Sequence, residues 1–243
     1  MEQTAYREMA ATEQAHWWFL ARRKIIADTI KSFNLPPHSK ILEVGAGTGG
    51  NLKLLQRFGD LSAVEMDDYA RAYATQVSGV GVEYGLLPNS LPTFPHNFQL
   101  ICMFDVLEHV EKDFESLKVL ATRLNPGGRI LITVPAYPWM WTDHDAVLHH
   151  HRRYTRTTLS NVINRAGLQL DRLTNFNTLL FPAAIAARLV GNALGKKGSP
   201  GSSLPPRFVN SAFETIFKSE APMLRRLNLP FGLSLMAVAS NYA

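Results

Sequence analysis

Two stretches of this sequence collect groups able to do chemistry. In the first, Pro138-Trp139-Met140-Trp141-Thr142-Asp143-His144-Asp145 is followed by His149-His150-His151-Arg152-Arg153-Tyr154, so four of the eight histidines fall between positions 144 and 151. Imidazoles and carboxylates can take a proton from an acceptor, guanidiniums can fix an anionic group, and Trp141 and Met140 can wall an apolar pocket. Arg152, Arg153, Tyr154 and Trp141 are therefore read as substrate-anchoring candidates. The plainer reading is an Asp145–Arg153 ion pair that only fixes a loop. Consecutive histidines point in different directions and the chain has one cysteine, so no metal site is expected. Further up the chain, Glu108 is expected to open a helix, whose N-terminal dipole favours acids. His109 beside it either joins that helix start or approaches the acceptor, and is carried as a substrate-side candidate.

The second stretch is Ile41-Leu42-Glu43-Val44-Gly45-Ala46-Gly47-Thr48-Gly49-Gly50. Glycines between a strand and a helix let backbone approach a ligand and leave helix N-terminal amides facing it. GAGTGG satisfies the dinucleotide pattern G-x-G-x-x-G, yet Glu43 stands where a dinucleotide strand is usually apolar. A carboxylate there suits a ligand carrying an ammonium group. Glu65, twenty positions beyond Gly45, can accept from ribose hydroxyls under either reading.

These residues need elements to position them. Phe19, Ile26, Ile30 and Phe33 recur at helical spacing, predicting one leader helix stopped by Pro36-Pro37. Strands are expected over 40–44, 61–64, 82–84, 98–104, 129–134 and 168–173. Helices are expected through Leu52, Leu55 and Phe58, from Phe114 to Leu124, and over 157–166. Alternation of this kind implies an α/β fold with a mostly parallel sheet and helices on both faces. Sites in such sheets sit at the carboxyl ends of the strands. The last third reads as a helical excursion over 176–232, with a Gly/Lys/Ser/Pro loop at 195–206 and a closing strand at 233–239. The organisation expected is one domain: a helical lid (1–37), a cofactor-binding core (38–175), the helical insertion (176–232) and the final strand (233–243).

Composition narrows the function classes. A chain of 243 residues, 46% hydrophobic with 13 Phe and 4 Trp, excludes a disordered or fibrous protein. A net charge of +5 comes from short clusters such as Arg22-Arg23-Lys24 and Lys196-Lys197, without the long basic tracts of many nucleic-acid binders. An anionic small substrate or an acidic membrane surface fits them better. The N-terminus does not read as a signal peptide, and the apolar run 179–190 is broken by Pro182 and Arg188. A cytoplasmic protein is expected, with peripheral contact at the inner face of a membrane as an option.

Taken together, ILEVGAGTGG, AVEMDD, FQLICMFDVLEHV and LNPGGRILITVPA resemble, in order and spacing over about 38–174, the motifs of the class I S-adenosylmethionine-dependent methyltransferases. The resemblance implies a Rossmann-like sheet of seven strands with the last antiparallel. It also implies Glu43, Gly45, Ala46, Gly47 and Gly49 around the methionine part of the cofactor, Glu65 on its ribose and Met66 beside its adenine, with Phe104 completing the wall. That family often carries an acidic residue after the third strand; Leu86 stands there, so adenine recognition is expected to use backbone and apolar contact. His16-Trp17-Trp18-Phe19-Leu20-Ala21-Arg22-Arg23 and the run from Val134 through Tyr154 resemble a bacterial subgroup linked to envelope polysaccharide or lipid-linked sugars. In such a leader Trp17 and Arg22 would belong to a lid, with Arg22 meeting the cofactor carboxylate. The resemblance places the base at His144 or His150, with Asp145 orienting it. Methyl transfer from a sulfonium is an in-line displacement, so alignment and water exclusion supply much of the acceleration. The activity expected is methylation of oxygen or nitrogen on a small-molecule or lipid-linked acceptor. The rivals are a nicotinamide-dependent (NAD or NADP) oxidoreductase and a non-catalytic membrane-associated module.

Overall fold

The chain opens with two helices in place of the single leader helix expected. In the computed structural model, which describes residues 1–193 and 203–242, these are α1 (Gln3–Thr12) and α2 (Trp17–Lys31). His16 separates them: its extended backbone breaks the first helix and its ring accepts from the Trp18 amide at 3.2 Å, capping the second.

The central sheet follows from apolar runs that are buried on both faces. It is built from β1 (Lys40–Val44), then after the one-turn α3 (Leu52–Leu55) β2 (Asp60–Glu65), then after α4 (Asp68–Ser78) β3 (Val82–Tyr84). β4 (Phe98–Phe104), α5 (Asp113–Ala121), β5 (Leu124–Pro135), α6 (Asp143–Val147), α7 (Arg156–Arg165) and β6 (Leu168–Phe176) come next. Then α8 (Phe181–Ala193), α9 (Arg207–Lys218) and α10 (Glu220–Leu224) precede β7 (Ser234–Asn241). The strand order is β3-β2-β1-β4-β5-β7-β6, with β7 antiparallel to both neighbours and the other pairings parallel. This is the expected seven-stranded α/β sheet with an antiparallel last strand.

Period-two alternation sends successive side chains to opposite helix layers. Leu42, Ile101, Met103, Ile130 and Ile132 pack against Leu117 and Leu120 of α5 and Leu159 and Ile163 of α7. Ile41, Leu100, Cys102 and Leu131 pack against Ile25, Ile26 and Ile30 of α2, Phe217 of α9 and Leu224 of α10. Cys102 is thus a core residue, as its flanking residues suggest. Asp28 ties α2 to α10, accepting from Lys24 and from Arg225 at 2.7 Å.

Several boundaries differ from expectation. Leu124 begins β5 instead of ending the preceding helix, because it pairs with Phe98 before the register shifts. Asn125-Pro126-Gly127-Gly128 therefore lies inside the β5 span, where a Cβ on Gly128 would sit 2.7 Å from the Phe98 carbonyl oxygen. Phe58 lies beyond α3. β6 and β7 each continue past the predicted ends, pairing Phe176 with Ser234 and Leu168 with Asn241. The loop expected over 195–206, with Lys196 and Lys197, lies mostly outside the described residues. Among the described residues no helix is long and apolar enough to cross a membrane.

Candidate active site

The strand order reverses between β1 and β4, and ligands of open α/β sheets bind beyond the carboxyl ends at such a switch point. A cavity of about 1450 Å³ lies there, floored by the ends of β1, β2 and β4 and roofed by α1, α2, the loop after β5 and α8. That exceeds the roughly 300–1,000 Å³ of a single small-molecule site, leaving room for a cofactor and an acceptor together.

The glycine turn after β1 presents backbone to this cavity. Gly45, Ala46 and Gly47 line it, and Gly47, at φ +53°, is open: a Cβ there would meet only Met9 Sδ, at 3.8 Å. Gly49 does not line it. Its hydrogen faces α4, where a Cβ would lie 3.0 Å from Ala74, so this glycine serves close packing of turn on helix.

Glu65, buried at the end of β2, collects donors on both oxygens. Oε2 accepts from the Gly47 amide at 2.8 Å, and Oε1 from the Met66 and Asp67 amides at 2.9 Å. The Tyr6 hydroxyl of α1 also donates to Oε1, at 3.4 Å, and burial together with Glu65 raises the Tyr6 pKa. Met66 (55% exposed) and Leu86 sit on the cavity wall beside them.

Glu43 lies behind the wall and does not line the cavity. It follows Ile41 by two positions and so points to the α2 face, where Asn51 Nδ2 donates to its Oε1 at 3.0 Å. Its other oxygen is buried without a partner, and burial pushes the carboxyl up to about 8 against the lowering effects of Asn51 and Arg22. Arg22 does line the cavity. Its guanidinium pairs with Asp105, stacks 4.4 Å over the Trp18 ring, and is lowered to about 10 by burial. Trp17 reaches the cavity too, while its amide donates to Asn210 and its ring meets Phe213 and Phe217 edge-on. Phe104 closes the floor.

The loop after β5 is clasped at its base. The Tyr137 amide donates to the Tyr154 carbonyl and the Tyr154 amide to the Pro135 carbonyl, at 2.8 and 3.0 Å. Inside the loop, Asp145 is fully buried and gathers the Thr142 amide and hydroxyl, Arg153 through Nε and Nη2, and His150 Nδ1 at 2.9 Å. These donors hold its carboxylate far below the usual range although burial alone would raise it. Asp145 thus pairs with Arg153 and at the same time bonds the His150 ring. His150, His144, His109, Arg153 and Trp141 all line the cavity. Burial lowers His144, whose Nδ1 has no partner, and takes His109 down to about 3. From α8, Arg188, which breaks the apolar run 179–190, donates to the Met140 and Trp141 carbonyls at 2.9 and 2.6 Å.

Arg152 and Tyr154 are corrected as substrate anchors. Arg152 binds Asp113 and the Glu111 carbonyl at 2.8 Å, and the buried Tyr154 hydroxyl donates to Asp113 at 2.9 Å, so both hold the loop against α5 away from the cavity. Glu108 is corrected as well: the helix starts at Asp113, and Glu108 sits in a single 3-10 turn (Leu107–His109), fully buried and on the cavity wall. Tyr6, Glu13 and Asn177 also line the cavity and were not singled out in the sequence. An acid such as Glu13, in a polar stretch, carries no local sign that it will be buried against Gly50.

The family comparison now fits this geometry. The methyltransferase-domain family matches residues 17–173, and the chain belongs to that family. Solved structures share the fold. A Galdieria sulphuraria protein provisionally assigned as a sarcosine dimethylglycine methyltransferase aligns with TM-score 0.62 and 15% identity, covering 91% of this chain and 85% of its own. DesVI of Streptomyces venezuelae aligns with TM-score 0.60 and 13% identity over 100% and 99%. An S-adenosylmethionine-dependent methyltransferase of Clostridium acetobutylicum gives 0.57 and 12% over 91% of each chain. No curated protein matches the sequence. The chain is an S-adenosylmethionine-dependent methyltransferase, and the nicotinamide-dependent reading is set aside.

The residues present fit that cofactor. The turn leaves space above Gly47 that a side chain would fill, and Arg22, which lines the cavity, carries a buried Nε without a partner. The carboxylate of an amino-acid end is the complement of such a donor.

Proposed function

We propose that this protein methylates an oxygen or nitrogen of a small-molecule or lipid-linked acceptor held under the loop after β5. The observation that carries this reading is the Asp145–His150 pair, set on the wall of a cavity that also presents the glycine turn. When bound, the cofactor supplies a methyl group already activated on a sulfonium. On this reading the Gly45–Gly47 backbone and Asn51 hold its amino-acid end, backed by Glu43 and faced by Arg22. Glu65 accepts from the ribose hydroxyls, and Met66 and Leu86 cover the adenine.

The acceptor side is built for proton removal and orientation. Asp145 fixes His150 through Nδ1, leaving Nε2 as an acceptor. His144, kept neutral by burial, is the second imidazole able to take a proton. Arg153 and His109 orient polar groups, and Trp141 packs an apolar body. The lipid-linked option draws on Leu189 and Val190, which are exposed on α8, the helix that also lines the cavity through Ala184, Ala187 and Arg188.

The test uses isotopically labelled S-adenosylmethionine with metabolite and lipid extracts, read by mass spectrometry. Labelled oxygen- or nitrogen-methyl products are expected from the wild type. The Gly47→Val variant should lose S-adenosylhomocysteine binding and product together, with its circular dichroism retained. Joint replacement of His144→Ala and His150→Ala should lower kcat by roughly 10²–10⁴-fold while cofactor affinity is kept. Label appearing only on carbon, or undiminished turnover without both imidazoles, would overturn the acceptor chemistry proposed.

A further inference from the structure

The groups on the acceptor side include one set that proton transfer does not account for. Among the described residues, one ligand atom each from Glu108, His109 and His150 lie within 4.8 Å of one another, the one such grouping of three. Glu108 is 0% exposed and neither carboxyl oxygen has a hydrogen-bond partner. A buried carboxylate is normally paired or ligates a cation. The two histidine rings meet edge to face at 4.5 Å between centroids. All three residues line the cavity.

We propose that Glu108, His109 and His150 bind a divalent transition-metal cation of the zinc class at the acceptor end of the cavity. Two imidazoles and one carboxylate form a ligand set suited to zinc and neighbouring first-row ions, with further coordination positions left for a ligand in the cavity. Ligand atoms about 2.0–2.2 Å from one ion stand roughly 3.3–3.6 Å apart in tetrahedral geometry, so atoms now within 4.8 Å of one another would need to close by no more than about 1.5 Å.

The surroundings are those of a metal site. A ligating histidine commonly gives its other ring nitrogen to a carboxylate or carbonyl, which fixes tautomer and orientation. His150 Nδ1 is on Asp145, whose carboxylate is itself fixed by Arg153 and Thr142, so Nε2 is the nitrogen available. The two segments that supply the ligands are pinned together: the His151 amide donates to the Glu108 carbonyl at 2.8 Å. Arg152 and Tyr154, both on Asp113, brace the same junction from behind. Their absence from the cavity wall then has a purpose, since they set the distance between ligands. The sequence-level expectation of no metal rested on the run 149–151, of which only one histidine is used; the partners come from a 3-10 turn forty residues away.

This site rests on the methyl-transfer reading for its acceptor and reassigns one group of it, since His150, offered above as a base, becomes a ligand. A cation here would hold an acceptor through an oxygen or nitrogen lone pair, engage His150 as a ligand, and leave His144 as the free imidazole.

The experiment uses the untagged chain, stripped with chelator and dialysed against Zn²⁺ or Co²⁺. One equivalent should bind, and Co²⁺ should give visible absorption bands characteristic of nitrogen and oxygen ligation. Glu108→Gln and His109→Ala should each weaken Co²⁺ binding by more than 100-fold, and Asp145→Asn by roughly 10–100-fold. S-adenosylhomocysteine should still raise Tm in every variant, which shows that the cofactor half remains folded. Should Glu108→Gln not fold, His150→Ala read by the same absorption bands takes its place. No stoichiometric binding, or affinity unchanged in the variants, overturns the metal site while leaving methyl transfer intact. Loss of S-adenosylhomocysteine binding in the wild type overturns the cofactor reading and leaves the metal measurement in force.

Discussion

Three glycines two residues apart serve three different surfaces. Gly45 lets the turn pass Val106, where a Cβ would fall 2.5 Å from Cγ2; Gly47 keeps the cavity open; Gly49 admits α4. Glu43, two residues earlier, shows how burial changes an acid. Its folded pKa of about 8 lies above the unfolded value of about 4.3, so the folded state binds the proton more tightly. The stability this contributes is complete below the unfolded value and is lost as pH rises through the folded one. The cofactor-free wild type is therefore expected to fall in Tm relative to Glu43→Gln between about pH 5 and about pH 8, measured by scanning calorimetry in matched buffers. Parallel Tm profiles would show that Glu43 is ionised throughout. At this scale spacing pointed to several residues that the fold does bring to or beside the cavity: Gly45, Gly47, Glu65, and His150 with Asp145. The sequence was silent on Tyr6 and took Glu108 for a helix start, because their importance comes from burial created by distant elements, and it misplaced Arg152 and Tyr154, because a loop arginine and tyrosine read the same whether they face a cavity or a neighbouring helix.

Among the elements, the loop at 136–154 and α8 act as one unit. The Arg188 guanidinium joins them through the Met140 and Trp141 carbonyls, and the Tyr137 ring meets Phe181 of α8 at 5.5 Å between centroids. Removing it by Arg188→Ala should cost about 1–3 kcal/mol in a urea titration, as expected for hydrogen bonds from a charged donor. It should also raise the acceptor KM without changing S-adenosylhomocysteine affinity. A variant with wild-type stability and KM would mean that loop and helix hold their places independently. The sheet was largely legible because β1, β4 and β5 are apolar over both faces, a pattern that few other elements share. α4 went unread because its only fully buried side chains are Ala70 and Ala74, too small to make an apolar stripe. The α5 boundary was misjudged because Leu124 continues the helical spacing while its backbone already pairs with Phe98.

Over the whole molecule, the cofactor half and the acceptor half meet beneath helices drawn from both ends of the sequence. α2 packs beside α9, joined by Trp17 with Asn210 and by aromatic contacts, so the leader is anchored by the insertion that follows β6. α1 is held more lightly, with Tyr6 its one buried residue. Deleting residues 2–12 should leave the cooperative unfolding transition in place and weaken S-adenosylhomocysteine binding by at least about tenfold, equivalent to roughly 1.4 kcal/mol, by isothermal titration calorimetry. An unchanged Kd would make α1 a bystander. A mostly parallel sheet of seven strands with an antiparallel last strand was predictable from the alternation of elements and from the family resemblance. A helical lid over 1–37 was expected from the leader, but nothing local in the polar decapeptide of α1 shows that it forms a separate helix whose Tyr6 meets Glu65.

The phenol of Tyr6 rests on Glu65, the carboxylate assigned above to the ribose. A nucleoside arriving there meets an occupied seat, and has to exchange one hydroxyl for another before it can settle. On that reading, loading is a swap of donors on one carboxylate, from the Tyr6 phenol to the incoming ribose.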